Sequence, residues 1–451
     1  MSRENGSISR RAFGASLASI TFTALARPSF ALPRLPIGGK IKLTVPWPLA
    51  SIDPHRLDDP AAAIFGNALF DSLYTLDAAG EPIPALADKL PESAGPGALR
   101  VTIRDGLTTA HGSAIDARDA SLALARARSH GAAAWLAPVA SPKREGDKSL
   151  VFAATDPVLL ARVLASPITA IVPLSFDPTK PDGTGPFRVD RKEAMLAFTR
   201  NARAALGPSL LDEIDVSAAD DLAAGLRAFE SGAADVGWLG TGLHEPRAGS
   251  KPFDAGAVGW AVLVVGKDGG TWDAPGIAQR VCDGIVPSRL AYLGVGAAWP
   301  TTSEEGWSGP PVDLLVVNDA PWLVELARAV AASISRPGHE VTPRPLPPAE
   351  FATRKKARSF ALAIDLARSL GPGALAAMTA IASADPSTTA TELAKHPPKV
   401  AEANARSLTR LFRAGVLGEI RVQGGRIADL TLPAGRFGVD WATATRARKH
   451  P

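Results

Sequence analysis

The chain has 451 residues, too many for one compact core, and a soft prior of about 150 residues per domain gives two or three lobes. Hydrophobic residues at 46% and charged residues at 21% exclude a disordered or collagen-like chain, and aromatics at 6% disfavour a stacking surface for nucleic acid. Of 49 basic and 45 acidic residues, residues 1–31 hold four arginines against Glu4, so the rest is balanced at 45 and 44 and a polyanion-binding body loses its support.

At the N-terminus, Ser9-Arg10-Arg11-Ala12-Phe13 precedes a mildly apolar run from Ala15 to Ala26. The run is too short to span a membrane, which takes about 20 apolar residues. A charged start, a short apolar stretch and small residues near its end make a secretory signal over residues 1–31, cut after Ala31 or after Ala26. The paired arginines resemble the twin-arginine export signal, with an ordinary Sec signal as the alternative. No cysteine lies near the cut, so no lipid anchor is expected and the mature protein is expected in the periplasm.

The predicted elements follow in chain order. Lys40–Val45 is a strand stopped by Pro46-Trp47-Pro48. Ala61–Leu73 has helical spacing, with Phe65, Leu69 and Leu73 on one stripe. Ala98–Arg104 is a half-buried strand, and Asp116–Arg128 a helix with Asp116 as N-cap. Leu150–Ala153 is a strand, Pro157–Ala165 a short helix and Ile168–Pro173 an apolar strand. Phe187–Val189 and Ala194–Thr199 form a hairpin. Ile214–Val216, Ala219–Ser231 and Asp235–Gly237 read as a βαβ unit with a parallel sheet. Val258–Val265 is a buried strand, Gly266–Gly270 a hairpin turn and Pro275–Val281 a helix. Val312–Asn318, Pro321–Ile334 and Val341–Pro343 form a second βαβ unit, Pro343–Pro348 is a turn-rich connection, and Phe360–Ile364 continues that sheet. Two βα modules imply two α/β lobes.

Several blocks in this order resemble the family 5 extracellular solute-binding proteins, the dipeptide-, oligopeptide- and nickel-binding receptors of ABC importers. They are Ser51-Ile52-Asp53-Pro54, Ala68–Tyr74 with Pro84–Ala87, Leu99–Leu107, His111-Gly112 with Asp116–Asp119, Gly183-Thr184-Gly185-Pro186-Phe187, and Leu226–Asp235. The resemblance implies an α/β fold of the two-lobed periplasmic binding protein type (class II, cluster C) with an additional peripheral α+β domain. Residues 40–52, 184–255 and 424–451 would form lobe I, 53–183 the peripheral domain and 256–423 lobe II. It implies a periplasmic receptor, working as a monomer, that captures a small solute between hinged lobes and delivers it to an inner-membrane permease. The solute would be a peptide or peptide-like molecule, a metal chelate or a tetrapyrrole. Peptide-binding members often carry an aromatic–acidic element after the strand equivalent to Phe360–Ile364. Here that stretch reads Ala363-Ile364-Asp365-Leu366-Ala367-Arg368, without tryptophan or an Asp-Tyr-Pro element.

Candidate ligand-binding residues are Trp47, Trp238 and Asp365. Trp238 ends the strand after Asp235, where a cleft residue would lie, or it packs in the core. Trp47 faces the same cleft in the family layout, or plugs the fold between two prolines. Asp365 pairs with a cationic ligand, or caps a following helix. Trp260 reads as core. Arg354-Lys355-Lys356 with Arg358 reads as a solvated helix face, and Cys282, the only cysteine, as a buried thiol that rules out an internal disulfide. The seven histidines show no HxH or HExxH spacing, no glycine-rich phosphate loop follows a strand, and Gly306–Pro310 fails as a nucleophile elbow at Pro310. No catalysis, cofactor, metal or nucleic-acid partner is therefore expected. The competing readings are a secreted enzyme exported folded and a degenerate receptor domain used for sensing.

Export is testable directly. With Arg10 and Arg11 both changed to lysine, mature protein is expected to disappear from the periplasmic fraction. Unchanged, Sec-dependent secretion of the double variant refutes the twin-arginine reading.

Overall fold

In a computed structural model, the structure describes residues 36–192, 195–238, 247–297, 306–394 and 408–447. The expected signal over residues 1–31, with Arg10, Arg11 and both cuts, lies outside the described residues. Residues 37–451 form one compact unit.

One large mixed sheet organises this unit. Its strands are β1 (Lys40–Val45), β2 (Phe187–Lys192), β3 (Met195–Arg200), β4 (Glu213–Ala218), β5 (Val236–Trp238), β6 (Ser250–Val265), β7 (Val312–Val317), β8 (Val341–Leu346), β9 (Leu362–Arg368) and β10 (Ala414–Ile427). Their spatial order is β8-β7-β9-β6-β10-β5-β1-β4-β3-β2, and the two-residue strand Val295–Gly296 adds to β10. At one end β1 runs parallel to both β4 and β5, so the first expected βαβ unit forms with β1 inserted between its strands. At the other end β7 runs parallel to β8 and β9, as expected of the second unit. The long antiparallel pair β6 and β10 joins the two ends.

The helices follow from their caps and stripes. Helix α1 (Pro60–Leu69) starts on the Asp59 side chain with Pro60 in its first turn. It stops at Leu69, four residues short of the expectation. The backbone of the Gly183–Phe187 turn arrives there, and the Gly185 N–H donates to the Leu69 carbonyl. A Cβ on Gly183 or Gly185 would stand 2.2 Å from the Leu69 carbonyl oxygen or 2.6 Å from its carbon, so only glycine permits this approach. Helix α2 (Ala117–Ala127) has the expected Asp116 cap, closed reciprocally by Asp119. It belongs to a smaller unit with a four-stranded antiparallel sheet, ordered Glu92–Gly95, Ala98–Thr102, Ser149–Ala153, Lys143–Glu145. Helices α3 (Leu222–Glu230), α4 (Ile277–Asp283), α5 (Pro321–Ile334) and α6 (Pro348–Ala357) complete the set that matters for the site.

Three expectations are corrected. Ile168–Pro173 is not a strand: Pro167–Thr169 makes a 3-10 turn, and Ile168, Ile171 and Val172 are buried as irregular chain between two prolines that cannot donate to a ladder. Gly266–Gly270 is not a hairpin turn, because β6 pairs with β9 and β10, and Lys267–Trp272 instead forms 3-10 turns leading toward α4. The proline run is not a mere connection. Pro343 and Pro345 sit in β8, which among the described residues pairs only with β7, and a missing N–H is tolerated on the open side of an edge strand.

The Ser51–Pro54 block anchors the smaller unit. Asp53 accepts two bonds from the Arg126 guanidinium, at 2.8 and 2.6 Å. His55 is fully buried, with Nε2 2.8 Å from the Ala170 carbonyl and Nδ1 2.8 Å from Arg126. That arrangement suits a neutral ring: Nε2–H donates to the carbonyl and Nδ1 accepts from Arg126. Burial, aided by the neighbouring Arg126 charge, pushes the His55 pKa down to about 4 from its ordinary 6.5. A histidine held neutral contributes stability that is complete above pH 6.5 and is lost as pH falls through that value toward 4. Between pH 6.5 and 5 the unfolding free energy should drop by about 2 kcal/mol on this account. Urea midpoints measured across that window should fall for the wild type and stay nearly flat for His55→Gln; equal pH dependence in both proteins contradicts the assignment.

Candidate functional site

The carboxyl ends of strands from both ends of the sheet converge on one cavity. Trp238 is the last residue of β5, and Trp47 lies two residues past β1. Arg368 is the last residue of β9, and Trp322 stands in the first turn of α5, just after β7. The middle of β6 (Val258, Gly259) and of β10 (Ile420, Arg421, Val422) forms the floor, and the start of α1 (Asp59, Pro60, Ala63, Ile64) covers it. The cavity is about 30 Å³, room for a water or two. The backbone N–H of Trp322 donates to the Pro46 carbonyl at 3.3 Å, so the two ends of the sheet touch at its rim.

Trp47 and Trp238 meet here edge to face, with ring centroids 6.2 Å apart, and Trp238 packs in the same way on Phe253 at 6.0 Å. They are only 5% and 4% exposed, and both belong to the main hydrophobic core. Each indole thus belongs to the core and also lines the cavity. Neither Nε1–H has a hydrogen-bond partner among the described residues. An unsatisfied buried donor costs about 1–3 kcal/mol.

Sequence reasoning missed Trp322, Arg368, Arg421 and Asp59. Asp59 caps α1, accepting from the N–H of Ala62 at 2.9 Å and of Asp53 at 2.8 Å, and burial raises its pKa. Arg368 is buried, donates to the Pro54 carbonyl at 3.0 Å, and is pulled down to about 10 by burial, which Asp59 and Asp53 only partly offset. Arg421 is held by Asp254 at 2.8 Å and Glu419 at 3.3 Å. Arg368 ends a strand whose one other charged residue is Asp365, but its place beside the tryptophans depends on which strand ends face each other. Trp260 is only partly buried and packs against the core.

Asp365 lies elsewhere. It points from the middle of β9, so it caps no helix, and it lines a neighbouring cavity of about 310 Å³ with Arg56, Asp58, Asp319 and Lys355. Its carboxylate is bonded by the Lys355 ammonium from α6. Lys355 also lies 3.9 Å from Asp58, which Arg56 binds at 2.9 Å. Burial alone would push the Lys355 ammonium down; Asp365 and Asp58 outweigh it and hold its pKa up. The basic cluster is thus not a uniform solvated face. Lys355 turns inward, and Arg358 is buried against Asp273 and Asp385. Cys282 is buried, as expected.

Breaking the largely buried Lys355–Asp365 pair from one side strands a charge, which costs up to about 3–5 kcal/mol, whereas replacing both partners is often near neutral. Lys355→Met should lower the unfolding free energy by that amount in urea, and Lys355→Met with Asp365→Leu should recover most of it. Additive losses in the double variant would show that the two groups do not act as a pair.

Comparison with known proteins agrees with this geometry. Residues 81–255 match the model of the bacterial extracellular solute-binding proteins, family 5 Middle. No curated protein sequence matches the chain. Among solved structures, the pheromone receptor PrgZ, described with its mode of peptide binding, is 14% identical with a TM-score of 0.71, covering 92% of this chain and 100% of its own. The oligopeptide-binding protein AppA from Bacillus subtilis, in complex with a nonapeptide, is 14% identical with a TM-score of 0.68, over 92% and 100% of the two chains. NikA from Staphylococcus aureus, in complex with Ni(L-His)2, is 14% identical with a TM-score of 0.67, over 90% and 99%. No helix among the described residues is long and apolar enough to cross a membrane. Over residues 81–255 the chain thus matches the family 5 solute-binding protein model, and over about nine tenths of its length it has the two-lobed α/β fold of periplasmic binding proteins.

Proposed function

We propose that the protein is the receptor of an ABC importer, capturing a small solute in the cavity between the two ends of its sheet and presenting it to a permease. The observation that carries this reading is the cavity itself. Strand ends from both β-units, the tryptophans Trp47 and Trp238, and the bulged middle of β6 and β10 meet at one place. Ligands of open α/β sheets bind outside the carboxyl ends of strands. At about 30 Å³ the cavity admits no solute of useful size as it stands. Entry requires the two ends to part, and β6 and β10 are the natural hinge.

Binding, not catalysis, is the role that the family and the site support. Trp47 and Trp238 are the proposed ligand contacts. Asp365, already neutralised by Lys355, is proposed as part of the scaffold beside the cavity rather than as the group that grips a cationic ligand. The lobe boundaries proposed from the sequence put β6 and β10 at the crossings between lobes. Periplasmic residence and work as a monomer complete the proposal.

The experiment starts from molecules released on denaturing protein purified from the periplasm, identified by mass spectrometry. Added back, the retained solute should reduce the radius of gyration in small-angle scattering. A hundredfold excess over Kd should raise the unfolding free energy by about 2.7 kcal/mol. A retained solute that stabilises the protein without compacting it defeats the hinge, and a hydrolysed solute favours the enzyme alternative.

A further inference from the structure

We infer that the group by which this receptor recognises its solute is a hydrogen-bond acceptor, a carboxylate or carbonyl on an apolar body, received by the indole N–H groups of Trp47 and Trp238. The inference rests on the receptor reading above and specifies its ligand. The first observation is a contrast among tryptophans. Trp135, Trp307, Trp322 and Trp441 each donate Nε1–H to a backbone carbonyl, at 3.0, 2.7, 2.7 and 2.8 Å. Trp322 shares the cavity, yet its donor is tied to Leu293. Trp47 and Trp238, both more than nine-tenths buried, packed edge to face on each other and lining the same cavity, have buried donors with no partner among the described residues. Burying a donor without a partner is costly, so two such groups in one place call for an acceptor.

The second observation concerns the acceptors. A peptide's ammonium end needs a free carboxylate. The cavity's buried carboxylate, Asp59, is occupied by two backbone N–H groups at the start of α1. Asp365 faces the neighbouring cavity and is bonded by Lys355. The third is the wall. Ile64, Val258, Leu366, Ile420 and Val422 are apolar, and the buried Arg368 guanidinium has no carboxylate within 4.0 Å among the described residues. Two N–H donors and a buried cation on a largely apolar wall, whose other polar residues Asp59 and Arg421 are already partnered, favour an acceptor and disfavour an ammonium.

The test titrates the exported protein with phenylacetate, benzamide, phenethylamine, the dipeptide Ala-Phe and Ni(L-His)2, by calorimetry and tryptophan fluorescence. Phenylacetate or benzamide should bind, and phenethylamine should bind at least tenfold more weakly. Preference for phenylacetate identifies a carboxylate, and parity with benzamide a neutral carbonyl. Trp238→Phe and Trp47→Phe should each weaken binding about tenfold, the loss of one buried hydrogen bond to the ligand. Their melting temperatures should match or exceed wild type, since phenylalanine keeps most of the ring and removes an unpaired donor. Binding unchanged in the Phe variants overturns the inference, as does binding of neither acceptor probe. Binding of phenethylamine as tightly as phenylacetate, with compaction, overturns the acceptor inference while leaving the receptor reading intact. No probe bound and no retained molecule in mass spectrometry overturns both.

Discussion

The antiparallel pairing of β6 with β10 is the interaction on which the rest of the structure depends. In the large sheet these two strands lie between the β1–β5 end and the β7–β9 end. Their ladder runs from Ser250–Ile427 to Val264–Ala414, with register shifts at Asp254/Ala257, Ala257/Gly259 and Ala261/Val262. A bulge leaves a residue unpaired and bends the strand, so the ladder is weakest in the stretch that floors the cavity. Close packing there is extreme. A Cβ at Gly424, whose φ is +151°, would stand 1.9 Å from the Gly237 carbonyl oxygen, and one at Gly259 would stand 2.4 Å from that of Ala367. The glycines let β10 approach β5 and β6 approach β9 where side chains would hold them apart, and the bulges interrupt the ladder between β6 and β10.

Around that joint the polar groups divide into two kinds. The carboxylates are engaged: Asp53 by Arg126, Asp59 by the backbone at the start of α1, Asp365 by Lys355 and Asp254 by Arg421. Buried charges are tolerable only when paired, and each of these pairs also ties one chain segment to another. The donors at the cavity are the exception. Trp307, Trp322 and Trp441 are satisfied, whereas Trp47 and Trp238 have no Nε1 partner among the described residues, at a place where both ends of the sheet meet. Departures from local consistency concentrate at functional sites, and the two unpaired indoles are one such departure, on the wall of the cavity.

Much of the fold was legible because its signals are local. Asp116 with Asp119 is a capping box in four residues, and Val312–Val317 with Pro321–Ile334 shows the change from strand to helix period in one window. The Gly183–Phe187 turn was legible as a motif, though the reason for its glycines, the end of α1, lies more than a hundred residues away. The misread segments share another property. Pro343 and Pro345 look like breakers until β8 is known to be an edge strand, and Lys355 looks solvated until α6 is known to lie over β9. Trp47 and Trp238 could be proposed for the cavity from their place at strand ends. Arg368 and Trp322 could not, because what matters is which strand ends face each other.

The sequence by itself determined the secondary structure of both βαβ units, the balanced charge of the body and the likeness to a solute-receptor family. These depend on residue type at short spacing, where hydrophobic period, caps and turn residues act within one or two turns of chain. Only the tertiary structure decided that Asp365 is spent on Lys355, that His55 is held neutral, and that two indole donors are left unpaired beside Arg368. Each of these is a question of whether a buried polar group has a partner, and the partner, or its absence, is supplied by segments distant in the chain whose meeting no local pattern encodes.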